Sequence, residues 1–214
     1  MGKFDNALEI MRQIRTLPIQ EKYVRMIVDY GDASMTTAMS RYTEGVSKLD
    51  NILEVYRDLL QTTDFRYLYE EIQERRGFAL TTLERDVEAV SVLEEAATFV
   101  NSSAGDMQSV YFYLGISYAA TLKVDLAKVA YLRAIEFHLS NSTEADAHYR
   151  VAVLYFRERA FAQAKNHLEA ALEMPDAAIS KQLRGFIYQQ MSRTCHYLGE
   201  VAEEQKYSRL AQAS

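Results

Sequence analysis

The side chains that could carry chemistry are few, and their spacing suits none of the common centres. The histidines are His138, His148, His167 and His196. No two lie at i, i+3 or i+4, so no single helix presents a ready metal pair. A bundle-type carboxylate centre asks for Glu-x-x-His, and that pattern is absent from the sequence. Cys195 and His196 are neighbours, which on a helix points them in different directions. A nucleophile and its base must meet within hydrogen-bond reach, so Cys195 reads as a small core residue. The pairs Glu70–Glu71 and Glu203–Glu204 are adjacent rather than stacked and read as solvated faces. No glycine-rich phosphate loop occurs. The expectation is a protein without catalytic residues, metal or cofactor.

What stands out instead is a set of apolar stripes at helical spacing. Phe112, Ile116 and Ala119 fall at i, i+4 and i+7, as do Tyr149, Val153 and Phe156. These stripes lie beside a second set of helical spacings. Tyr111, Leu114, Gly115 and Tyr118 form one stripe at i, i+3, i+4, i+7. Ala127, Tyr131 and Ala134 form another at i, i+4, i+7, after a polar break near Lys123 and Asp125. The two stripes can face each other in an antiparallel pair, with Gly115 and Ala127 small enough for close approach.

The pattern returns as His148, Val151, Ala152, Tyr155, Ala164, Leu168 and Ala171. Upstream it returns as Gln73, Arg76, Gly77, Leu80, Ala89, Leu93 and Ala96, with departures at Gln73 and Arg76. Internal repetition of this kind decides the fold before any other signal. On these residues the chain resembles the tetratricopeptide repeat (TPR) family. The resemblance implies an all-α fold, a right-handed superhelical solenoid of antiparallel helix pairs in a single domain. Repeats are expected at 66–100, 108–141 and 145–175. A degenerate copy at 179–214, aligned on Tyr188, Met191, Ser192, Cys195 and Ala211, puts Glu204 and Ser208 where apolar residues belong, as a capping helix would. Gly2, Phe4, Ala7, Met11, Ile14 and Pro18 match half a repeat at 1–18, as if the chain were cut from a longer solenoid or began with a lone capping helix. Residues 19–65 fit least well and are expected to form irregular helices. Within them Leu49, Ile52, Leu53, Tyr56, Leu59 and Leu60 make a strong amphipathic stripe, while Gly31–Ser40 shows none.

The resemblance also implies that first helices line an inner face. That face would comprise Phe112, Ile116 and Ala119, then Tyr149, Val153 and Phe156. Upstream it takes Glu74, Phe78 and Thr81; downstream, Gln189, Arg193 and His196. A chaperone-tail clamp of Lys and Asn is missing from these positions, and only Arg193 is basic. A helix apolar on two faces needs two partners, so the expected function is a protein- or peptide-binding scaffold with an apolar groove, suited to an amphipathic helix or apolar peptide. The solenoid's own curvature, the helices of 19–65 or a second copy of the chain in a homodimer would fill the groove equally well. The second reading is the peptide-sensing portion of a bacterial pheromone regulator, with Gln189, Arg193 and Arg150 as polar contacts. Tyr111, Tyr118, Tyr131 and Tyr155 are expected to be core residues with the hydroxyl at the rim.

Composition sets outer bounds. The chain of 214 residues has two Pro and eight Gly, too few for the turns of a sheet fold. Its net charge of −6 argues against a nucleic-acid partner. The first half holds the acidity, with 12 Lys and Arg against 19 Asp and Glu in residues 1–107. No apolar run is long enough for a signal peptide or a membrane span. Gly2 lacks the Ser or Thr that myristoylation wants four residues on, since Asn6 stands there. One cysteine permits no internal disulfide. A cytoplasmic protein with no membrane partner is expected.

Overall fold

The computed structural model describes residues 21–99 and 102–213, so the half repeat expected at 1–18 lies outside the described residues. Every described element is helical. The contacts gather into two compact units that divide between Ser102 and Ser103.

In the first unit, α1 (Lys22–Ala38) pairs with α2 (Tyr42–Val55), and a short α3 (Arg57–Leu60) leads to α4 (Arg66–Thr82) and α5 (Asp86–Ala96). Helix α4 packs on α5 and also on α2. The core gathers Met26, Ala33, Leu49, Ile52, Leu60, Leu68 and Ile72. Residues 31–38, which show no stripe, are nonetheless helical. Tertiary contacts override weak propensity there: Thr36 and Thr37 are buried and return their hydroxyls to the Asp32 and Ala33 carbonyls. Asp32 accepts from Lys48 on α2 at 3.2 Å, and Gly45 of α2 lies against Thr37.

The second unit is α6 (Ala104–Ala120), α7 (Val124–Ile135), α8 (Ser142–Arg157), α9 (Phe161–Leu172), α10 (Lys181–Leu198) and α11 (Val201–Ala213). They pack as α6 on α7, α8 on α9 and α10 on α11, with α7 on α8 and α9 on α10 between pairs. Each first helix begins with a polar cap that satisfies an otherwise orphaned N–H. Ser103 accepts from Asp106 N, Asn141 from Glu144 N and Ser180 from Leu183 N. Glu144 also accepts from the Ser140 N–H at 2.8 Å, one residue before the cap, which keeps this buried carboxylate partnered.

The turn inside each helix pair follows one recipe. The chain takes a left-handed residue at Ser40 and Glu84 in the first unit, and at Leu122, Arg159 and Gly199 in the second. The next N–H then reaches back five residues, as in Arg85 to Leu80, Lys123 to Tyr118, Ala160 to Tyr155 and Glu200 to Cys195. This is the Schellman closure, which satisfies the last carbonyls of the first helix. Four of these positions are not glycine, so the closure holds against local strain.

The small positions behave as their spacing predicts. A Cβ on Gly115 would stand 2.6 Å from the Tyr131 ring, and one on Gly77 would stand 2.4 Å from a Leu93 methyl. Ala127, Ala134, Ala152, Ala164 and Ala171 are all fully buried. Tyr118 and Tyr131 are buried, and Tyr111 and Tyr155 half-buried. Pro175 follows the end of α9, where it blocks further helix. Helix α11 buries no residue fully. No described helix is long and apolar enough to cross a membrane.

Candidate binding face

On α4, Phe78 is half-buried and meets Tyr42 edge-on with centroids 5.7 Å apart. Thr81 is buried and donates to the Gly77 carbonyl, while Glu74 accepts from the Ser102 hydroxyl. These three residues belong to the first unit.

In the second unit, α8 lies beside α6, α7, α9 and α10 and so sets the geometry of the face. Phe112 is only 7% exposed. Its ring packs near Tyr131 at 6.0 Å, and the Arg150 guanidinium covers it at 5.4 Å. Arg150 is itself held by Asp146, to which its Nε donates at 3.1 Å. Ile116 and Ala119 are half-buried further along α6.

Tyr149 stacks on the exposed ring of Phe186 at 6.3 Å. One turn on, Val153, Phe156 and Arg193 line a pocket of about 340 Å³. Phe156 meets Phe161 edge-on at 5.3 Å and Tyr197 at 5.4 Å, while Phe161 and Tyr197 stack at 4.8 Å. The Arg193 guanidinium stands 5.2 Å from the Phe156 ring. Three of the residues expected on the inner face thus meet at one site. Gln189 is exposed and lines a different recess, with Lys181 and Phe186. His196 is exposed, and its Nδ1 lies 3.2 Å from Glu204.

Sequence spacing missed Phe161, Tyr197, Gln190, Arg157 and Arg159, which also line the pocket. Arg157 ends α8, Arg159 lies in the turn and Phe161 opens α9, so the three straddle a break between two helical stripes. Tyr197 lies one residue beyond the α10 stripe, and its 61% exposure is unusual for so large a ring.

The histidines tell a related story. No helix carries a pair, yet His148 on α8 and His167 on α9 meet through their Nδ1 atoms at 3.0 Å. One Nδ1 must donate and the other accept. Burial, reinforced by the neighbouring His167 and His138, pushes the His148 imidazole down to about 4, and burial lowers His167 as well. Among the described residues no group of three His, Cys, Asp or Glu could hold a metal. Cys195 is fully buried, and burial pushes its thiol up to about 11, away from nucleophilic chemistry.

No protein-family model matches the chain, and no curated protein sequence does. Solved structures do. The apo form of RapI superposes with a TM-score of 0.76 at 12% identity, over 97% of this chain and 58% of that one. BtubC of P. vanneervenii gives 0.74 at 14% identity, over 99% of this chain and 88% of that one. MamA from Desulfovibrio magneticus RS-1 gives 0.63 at 16% identity, over 80% and 85%. All three are helical-repeat folds. The fold is TPR-like. At these identities the likeness concerns architecture alone, and TPR-like pairs account for the recurring small-residue contacts and the recurring turn.

Proposed function

We propose that this TPR-like chain binds a protein or peptide segment through the α8–α10 face of its second unit. The pocket walled by Val153, Phe156 and Phe161 and roofed by Arg193 carries this reading. Its volume of about 340 Å³ falls within the span of small-ligand and side-chain pockets, roughly 300–1,000 Å³. Exposed Tyr197 lines it, and aromatic rings with one free face are the residues that interfaces favour. Ile116, Ala119, Tyr149 and Gln189 would extend the contact beyond the pocket. Phe112 would contribute mainly by packing beneath Arg150.

A pull-down against a displayed peptide library tests the reading. Replacing Phe156 and Tyr197 by Ser should abolish capture at unchanged helicity, and Tyr197→Ser alone serves if the pair unfolds. Phe112→Ser, by contrast, should lower thermal stability. Full capture by the Tyr197 variant would sink the proposal.

A peptide-sensing regulator is the second reading; RapI, solved in an apo form, shares the fold over 97% of this chain, which spans 58% of RapI. Arg150 is committed to Asp146, so Gln189 and Arg193 are the polar groups left for a peptide backbone. One short peptide retained at high affinity would favour the sensor, and a folded protein the scaffold. Self-association through this face would mark a homodimer.

A further inference from the structure

The pocket beside Phe156 is apolar on its walls and cationic at its mouth. Arg157 and Arg159 reach it from the α8–α9 turn, and Arg193 reaches it from α10. Among the described residues, none of the three has a carboxylate within ion-pair distance, and no carboxylate lines the pocket. Glu158, between the first two, is turned to Lys128 on α7, with Nζ to Oε1 at 2.6 Å. Glu200, past the end of α10, is likewise taken by Lys165. The local acids are thus spent elsewhere, and three guanidinium groups share one pocket without a counter-charge.

Gln190 supplies an independent observation. It lines the same pocket, is 6% exposed, and its Nε2 has no hydrogen-bond partner among the described residues. A buried amide donor left unmade is costly, so the fold tolerates it where an acceptor arrives from outside. Carboxylate oxygens are acceptors only, and they match the planar fork of arginine. Phe161 and Tyr197 beside them offer stacked rings suited to an apolar side chain.

Resting on the reading proposed above, we infer that this pocket recognises a carboxylate next to an apolar side chain, in an extended acidic peptide. Arg193, Arg157 and Arg159 bind the anion, Gln190 Nε2 donates to it, and Phe156, Phe161 and Tyr197 hold the apolar neighbour. Burial and charge act together here, whereas spacing alone pointed to an apolar groove with a single basic residue.

Fluorescence anisotropy with the full chain tests this directly. The probe is a fluorescein-labelled, C-terminally amidated peptide alternating Glu with Leu and Phe. Its comparison peptides replace Glu by Gln, either amidated or with a free C-terminal carboxylate. The acidic peptide should bind about ten-fold or more tightly than its amidated neutral isostere, and should weaken with added salt. Arg193→Gln, and the pair Arg157→Gln with Arg159→Gln, should each bring the affinity for the acidic peptide down to within about three-fold of that for its neutral isostere, at unchanged helicity. Gln190→Leu should weaken the acidic peptide severalfold at unchanged helicity. If the free C-terminal carboxylate alone restores tight binding, the anion is a chain terminus; if it does not, the anion is a side chain.

Equal binding of acidic and neutral peptides, both lost in Tyr197→Ser, overturns the anion assignment and leaves the peptide-binding face standing. Binding of neither peptide overturns the assignment as well, and the library pull-down then decides the fate of the face. A ten-nucleotide single strand that binds as tightly as the acidic peptide would overturn the choice of a peptide.

Discussion

His148 and His167 share a hydrogen bond that requires at least one bare Nδ1, so protonating both rings breaks it. Both imidazoles are held below their usual value of 6.5 by burial. Above that value the folded and unfolded chains are both neutral at these positions, and the pair contributes its full stability. As pH falls from 6.5 toward about 4, the unfolded chain takes up protons that the folded chain refuses. Stability then declines by at most about 1.4 kcal/mol per pH unit for each ring. Urea midpoints measured between pH 7 and 4 should therefore fall more steeply for the native chain than for His148→Gln with His167→Gln. Parallel slopes would show that the rings titrate normally. At the same scale Cys195 offers contrast: spacing placed it in the core, and it is there, fully buried.

The helix pair is the element that repeats, and its turn carries a testable strain. Leu122 holds a left-handed φ of 62° while 85% exposed, so its side chain gains little from packing. Relief of left-handed strain is worth roughly 1–2 kcal/mol, against roughly 0.5–1 kcal/mol for the extra freedom of an unfolded glycine. Leu122→Gly should therefore stabilise the chain, raising the thermal midpoint by about 1–4 °C. A lower midpoint by calorimetry would mean that the turn is not held as described. This turn was legible only in part. The stripe through Leu114, Gly115 and Tyr118 announced the helix and its end, but Leu, Glu, Ser and Arg do not advertise a left-handed bend. Their conformation is imposed by the packing of the helices on either side, which explains why residues 31–38 also became regular helix without any stripe.

At the scale of the whole molecule, contacts run between neighbouring helices and collect in two units, each with its own buried cluster. In such architectures stability is close to a sum of local and nearest-neighbour terms. The fragment 103–214 begins at the Ser103 cap and contains a complete cluster around Leu168, Ile187 and Met191. Expressed alone, it should be helical by circular dichroism and unfold cooperatively in urea, with a smaller m-value than the full chain, in proportion to the surface it buries. A non-cooperative transition would mean that the second unit depends on the first.

The sequence by itself determined the helical class, the pairing of helices around Gly77 and Gly115, and the core positions at Ala127, Tyr131, Leu168 and Ala171. Those are periodic features, and a 3.6-residue period is written into the order of the residues. It also nominated Val153, Phe156 and Arg193, which meet in one pocket. Only the tertiary structure decided the rest. Phe112 lies under Arg150, two histidines nineteen residues apart share a hydrogen bond, and Gln190 keeps a buried, unpartnered donor in a pocket that three arginines also line. Such groupings join turns to neighbouring helices, and no period along one helix can encode a distance between two.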